Sequence, residues 1–214
     1  DEKKIKVIYP CPGDFFMKKK SIKEIEDLKE KYALKGKKVI LTVARIDEGK
    51  GYPHLVAALP EILKVVPNLV WIIIGEGNKE NDLMKMIQEK NLQNVVRFIG
   101  PVKYTNLPVF YQLADLFVLL THKDEGREEG WGTVFLEAAA SGVPSVAGDV
   151  GGVPEVIKDK ITGILVNIYD KPRLIKTISD LLKQDKFRKE LGQNAELRVK
   201  EEFRWNLQIK KFYE

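Results

Sequence analysis

Cysteine occurs once, at Cys11, and histidine twice, at His54 and His122. A disulfide within the chain is therefore excluded, which suits a reducing compartment. Neither histidine has the spacing of a metal-ligand pair. No apolar run approaches the length of a membrane span, and the opening DEKKIKVIYP lacks the apolar core of a signal peptide. The P-loop pattern G-x-x-x-x-G-K-[ST] is absent, as is an Asp-x-Asp pair that would hold a metal. Charge of a single sign is missing too. Lys and Arg number 36 against 31 Asp and Glu, and the basic residues are mixed with glutamates along the helical segments. A nucleic-acid binder concentrates them on one element with interleaved aromatics, so no nucleic-acid partner is expected. The run Lys18-Lys19-Lys20 reads as a solvated linker, or else as a contact for anionic lipid or phosphate. The start Met is missing, so an excised domain is expected. The expected location is cytoplasmic, with room for peripheral contact at the inner membrane face.

What is present is a soluble composition, 44% hydrophobic, sufficient for one sizeable core or two small ones. The pattern alternates. Strands are expected at 37–44, 69–75, 94–100, 115–121, 144–148 and 162–167. Between them lie helical segments at 52–66, 80–91, 105–114 and 133–141. Helices follow near 172–184 and 186–202, and one aromatic-rich helix ends the chain through RWNLQIKKFYE. Such alternation predicts an α/β fold of Rossmann-like type: three layers, with a parallel sheet between helices. Ligands bind such sheets at the carboxyl ends of the strands. The segments just there are RIDEGKG, GEGNKE, GPVKYTN, THKDEGREEGWG and GDVGGVPE, each glycine-rich, charged or both.

Within them, Arg45 and Lys50 leave a strand in a turn closed by Gly51. Two cations at a strand end form an anion site, and arginine grips phosphate with two donors; the other reading is two solvated surface charges. GEGNKE, beginning at Gly75, matches a dinucleotide fingerprint only in part and reads as a tight strand-to-helix turn. Glu137 lies within an apolar helical run, where an ionised carboxylate is costly without a partner. One turn upstream, the N–H groups near Gly132, Thr133 and Val134 carry the positive end of the helix dipole. Gly130 and a second carboxylate, Glu129, precede them. The spacing Glu-x7-Glu sets two acceptors on either side of an anion hole, one for a ribose diol and one for a group beyond the phosphates. Otherwise Glu137 makes a structural salt bridge and Glu129 is a solvated loop residue. Gly151 and Gly152 form a second backbone nest or a simple helix cap. His54 reads as a packing residue, His122 opens the acidic loop, and Asp115 reads as structural.

Six segments in this order, ARIDEGKGYPHLVAAL, WIIIGEG, VVRFIGPV, YQLADLFVLLT, EEGWGTVFLEAAASGVPSV and GDVGGVPEVIKDKITGILV, resemble the nucleotide-sugar-binding half of the GT-B retaining glycosyltransferases of family 4. The resemblance covers nearly the whole chain. It implies that Arg45 and Lys50 bind a donor diphosphate, that Glu129 contacts the transferred sugar, and that Glu137 holds the ribose hydroxyls. Backbone groups around Arg97 and Ile99 would face the base, and N–H groups at 132–134 the phosphates. Trp131 stands where the family more often has phenylalanine, and the acidic stretch 124–128 is longer than in many members. The resemblance further implies a hexosyltransferase using a UDP- or GDP-sugar, acting in cell-envelope polysaccharide or glycolipid synthesis, with no metal and no other cofactor. It divides the chain into the end of an N-terminal domain and a linker (1–20), a donor-binding domain (21–202) and a crossing helix (203–214). The acceptor domain, a partner for this half, would be missing. A GT-B epimerase or phosphorylase and a non-catalytic nucleotide-sugar module are the alternatives.

Overall fold

A computed structural model describes residues 6–123 and 132–213. Six parallel strands form one sheet: β1 (Lys38–Val43), β2 (Leu69–Ile74), β3 (Val96–Gly100), β4 (Leu116–Leu119), β5 (Ser145–Gly148) and β6 (Gly163–Val166). Their order is β3-β2-β1-β4-β5-β6. Successive residues of a strand point to opposite faces, so each strand feeds two cores. Leu69, Trp71 and Ile73 of β2 pack on one side, and Val70, Ile72 and Ile74 on the other. The first core is closed by α2 (Tyr52–Val65), α3 (Glu80–Glu89) and α7 (Lys171–Lys183). The second is closed by α4 (Leu107–Leu113), α5 (Thr133–Ala140) and part of α8 (Asp185–Glu202). Strands covered on both faces read as continuous apolar runs, and all six residues of β2 are buried.

Several polar atoms inside are paired, although Thr121 Oγ1 and Ser179 Oγ find no partner among the described residues. Trp71 Nε1 donates to Thr42 Oγ1 (2.9 Å), which donates to the Val118 carbonyl (2.6 Å), so a hydrogen-bonded chain crosses three neighbouring strands. At the amino edge of the sheet Asp115 accepts from the Val39 N–H (2.8 Å) and from Arg188 (2.8 Å). The expected structural role of Asp115 is what the structure shows.

Three elements differ from the pattern read in the sequence. Helix α1 (Ile22–Lys31) precedes the first strand and buries no residue fully, so its apolar signal is faint. Its start is a capping box, in which Ser21 and Glu24 satisfy each other's backbone N–H groups. The segment expected as a helix from 105 begins instead as a 3-10 turn, Tyr104–Asn106. The single terminal helix is in fact two short ones, α9 (Trp205–Gln208) and α10 (Lys210–Tyr213). Short helix α6 (Val153–Val156) follows the Gly151-Gly152 turn, with Pro154 in its first turn.

Candidate donor site

The strand order reverses between β1 and β4, since β2 and β3 lie to one side of β1 and β4 to β6 lie to the other. A crevice opens at the carboxyl ends of the strands at such a reversal, and ligands of this architecture bind there. The structure brings two of the predicted segments to it. The loop 44–51 leaves β1 and packs on the exit of β4, where the His122 N–H donates to the Gly49 carbonyl (3.0 Å). Gly51 has φ +72, and a Cβ there would lie 2.0 Å from the Leu120 carbonyl oxygen, so only glycine lets the loop approach so closely. Gly75, at the exit of β2, has φ +135 and would collide in the same way with the Ala44 carbonyl.

The Arg45 side chain is 80% exposed and meets Asp47 at 3.1 Å. Lys50 is half-buried in the same loop. At the head of α5, Gly132 takes the N-cap position with φ +55 and offers no side-chain cap. Thr133 is exposed and Val134 half-buried. The donors of this first turn therefore have no side-chain acceptor from the cap residue, and the dipole adds positive potential to them. Glu129 and Gly130 lie outside the described residues.

Glu137 is 4% exposed and is the one buried carboxylate among the described residues. Its partner is not the salt bridge considered above. The Tyr111 hydroxyl, itself fully buried, donates to Oε2 at 2.8 Å. Burial raises the Glu137 pKa, and the neighbouring Tyr111 hydroxyl, then that of Tyr104, pull it down in part. Tyr111 is shifted upward by burial and then by the Glu137 charge. Neither tyrosine was marked by the sequence. The usable signal was the unpaired charge itself, which requires a donor from some other element.

Arg97 and Ile99 lie on the edge strand β3. The Arg97 guanidinium turns back to the carbonyls of Asn94 (3.0 Å) and Val96 (3.1 Å), towards the start of the strand. Ile99 lines a groove of about 620 Å3 with Pro101, Val102 and Lys103. A second cavity of about 450 Å3 opens where β4 to β6 end, lined by Thr121, His122, Asp149, Asn167, Tyr169 and Arg173. Gly151, with φ +56, and Gly152 lie in the turn after β5, the latter as N-cap of α6. His54 and His122 meet edge to face at 5.4 Å, with Tyr169 against both. Burial and then the neighbouring His122 push the His54 pKa down. Arg45, Lys50 and Gly51 thus share the loop that packs against the exit of β4, while the Arg97 side chain runs back along β3 and leaves only backbone groups of that strand to face a ligand. Among the described residues no cluster of His, Cys, Asp and Glu could hold a metal ion. No helix among them is long and apolar enough to cross a membrane.

Comparison with known proteins bears on the family and the fold. A mannosyltransferase of Mycobacterium tuberculosis, the GDP-mannose-dependent alpha-(1-6)-phosphatidylinositol monomannoside mannosyltransferase, is 34% identical over 158 residues, covering 73% of this chain and 41% of its own length. The alpha-D-kanosaminyltransferase of Streptomyces kanamyceticus is 31% identical over 169 residues, 79% of this chain and 42% of its own. Among solved structures, Anabaena HepE in complex with UDP and glucose superposes with a TM-score of 0.85 over 97% of this chain and 55% of its own, at 22% identity, and shares the fold. Sucrose-phosphate synthase of Thermosynechococcus elongatus gives 0.80 at 27% identity, over 95% of this chain and 51% of its own. The chain spans about half the length of the relatives it matches. The glycosyl transferases group 1 family matches residues 24–198, and this chain, with its Rossmann-like GT-B fold, belongs to that family.

Proposed function

We propose that the chain is the donor-binding half of a retaining glycosyltransferase that moves a hexose from a UDP- or GDP-sugar to a glycan or lipid acceptor. The observation that carries the reading is Glu137. A lone buried carboxylate, raised in pKa and held one turn inside a helix whose N-terminus faces the sheet crevice, is costly to keep. A vicinal diol supplies two further hydrogen bonds to it and accounts for the cost. The GDP-mannose named for one relative and the UDP bound by a structural neighbour support a nucleotide-sugar partner.

In this reading Arg45, Lys50 and the first turn of α5 surround the donor diphosphate. Negative charge builds on the leaving phosphate as the glycosidic bond breaks. Fixed cations and oriented N–H groups stabilise that charge most where it grows, which lowers the barrier without a metal. Glu129 is assigned the transferred sugar, and the Gly151-Gly152 turn a sugar or phosphate oxygen. The acceptor site belongs to the other half of the relatives' length, so these 214 residues bind donor without turnover. The reading has the whole enzyme work in the cytoplasm, with room for peripheral contact at the inner membrane face.

A thermal-shift panel of UDP-, GDP- and ADP-sugars tests the reading, because a ligand that binds only the folded state raises its melting temperature even when weak. One nucleotide class should stabilise the chain, and no shift with any of them sinks the proposal. In the full-length enzyme Lys50→Ala should reduce turnover at least a hundredfold, the scale on which one transition-state donor acts.

A further inference from the structure

The cavity at the ends of β4 to β6, about 450 Å3, has no part in the donor reading. It spans about 10 Å of strand edge at the usual spacing, and its volume is that of a small-ligand site. Its lining combines unlike groups. Tyr169 follows β6 and is 71% exposed. Its ring is nonetheless wedged, edge to face with His54 at 5.3 Å and with His122 at 6.4 Å. Its N–H donates to Asn167 Oδ1 (3.0 Å), which leaves the Asn167 amide NH2 as a donor. Arg173 stands in the first turn of α7, where the helix dipole disfavours a cation. Lys171, in the same turn, is held by Glu61 at 2.7 Å, whereas the Arg173 guanidinium has no ion pair among the described residues. Asp149, exposed in the turn after β5, has none there either.

We propose that this cavity is a second carbohydrate subsite, for a hexose unit that carries an anionic group. One face of a pyranose ring presents C–H groups of partial positive charge, which suit the negative face of the Tyr169 ring. The sugar hydroxyls donate to the Asp149 carboxylate and accept from the Asn167 amide. The anionic group meets Arg173, whose planar fork matches a carboxylate or a phosphate. A cation set against a helix dipole is thereby accounted for. The subsite adjoins the donor site, since His122 lines the cavity and its N–H donates to Gly49 in the loop of Arg45 and Lys50 (3.0 Å). Only the role assigned to it rests on the donor reading above: the reacting acceptor unit stays with the other half, and this cavity holds a neighbouring acidic unit of the same acceptor.

The test uses the isotope-labelled 214-residue chain, titrated separately with glucuronate, glucose 6-phosphate and methyl α-glucoside, with amide chemical shifts as the readout. At least one acidic probe should shift the amides of Val150, Ile168 and Tyr169, with an affinity roughly tenfold above that of the neutral glucoside, the scale of a hydrogen bond to a charged group. A response to glucuronate alone assigns a carboxylate, and one to glucose 6-phosphate alone a phosphate. Arg173→Gln should erase the preference for the acidic probes. Tyr169→Ala should weaken every probe that binds by roughly fivefold or more, the scale of a lost aromatic contact. Both side chains are exposed, so the melting temperatures should stay within about 2 °C of wild type. Equal affinity for neutral and acidic probes overturns the anionic assignment. No shift at these amides at high millimolar concentration, shifts confined to the loop 44–51, or unchanged affinity in Tyr169→Ala overturns the subsite. The two proposals fail separately. Nucleotide that stabilises the chain while no sugar shifts these amides sinks the subsite alone, whereas sugars that bind here to a chain no nucleotide stabilises sink the donor reading and leave the carbohydrate cavity standing.

Discussion

The two edges of the sheet use charge in opposite ways. At the amino edge Arg188 is buried and fully engaged, with Asp115 at 2.8 Å, Asp185 at 2.6 Å and the Leu181 carbonyl at 2.9 Å. Lys38 joins the same cluster through Asp185 at 2.8 Å. At the carboxyl edge Arg45 projects into solvent, and the head of α5 has no side-chain cap. Both edges carry arginine and carboxylate, yet one set is satisfied within the protein and the other is presented outwards. The first ties helix α8 to strands β1 and β4, while the second is suited to an anion that arrives from solution. A buried charge held by several partners marks architecture, and a solvent-exposed one at a strand's carboxyl end, even with a surface partner, is available to a site.

The largest effect that separates the edges is on stability. Arg188→Ala removes the cation and strands Asp115 beside the start of β4. Breaking a buried pair from one side costs about 3 kcal/mol, or roughly 6–12 °C in melting temperature for a chain of this size. Below its new midpoint the variant should still bind nucleotide with wild-type affinity. Lost binding in the folded variant would show that the two edges are not independent.

Glu137→Gln inverts that result. Gln keeps an acceptor for Tyr111 but loses the charge that burial penalises. The melting temperature in the absence of nucleotide should hold or rise, while nucleotide affinity falls roughly thirtyfold, about 2 kcal/mol, the scale of hydrogen bonds to a charged group. A residue that is better for function than for stability gives this pair of signs. A fall in stability with unchanged affinity would make Glu137 a structural residue. Arg45→Ala comes next, with binding weakened about tenfold, near 1.4 kcal/mol, and a melting temperature within about 1 °C of wild type, because its ion pair is exposed.

The same contrast explains what the sequence could disclose. The six strands and the helices between them were legible because alternating burial leaves continuous apolar runs, such as LVWIII, that admit few other readings. The cations of the carboxyl edge were legible because they follow strands directly. Helix α1 escaped because its apolar residues are only half-buried or, at Ile22, exposed, although Ser21 and Glu24 spelled out its start. Tyr111 and Tyr104 escaped for a different reason. Tyr111 meets Glu137 across 26 residues of chain, through the packing of α4 on α5, Tyr104 lies in the turn just before α4, and no periodicity encodes a contact between elements. The sequence showed a carboxylate that needed a donor, and only the fold could say which.

The smallest predicted effect is the most direct test of the contrast, because two carboxylates move in opposite directions. Hydrogen bonds from Lys38 and Arg188 hold Asp185 down to about 2. Its contribution is therefore complete above the unfolded value near 3.9, and is lost as pH falls towards about 2. Burial raises Glu137, so the folded state takes up its proton first, and the cost of its charge disappears as pH falls through the raised value. Urea midpoints between pH 7 and pH 2.5 should show both. The gap between wild type and Asp185→Asn should shrink below pH 4, by less than about 1 kcal/mol because Asp185 is more than half exposed to solvent. The gap between wild type and Glu137→Gln should close from the other side, with wild type gaining on the variant as the solution is made acidic. If wild type gains on both variants as pH falls, or loses ground to both, the opposed roles assigned to the two edges are wrong, since a shared response would mean that both carboxylates serve the fold in one way.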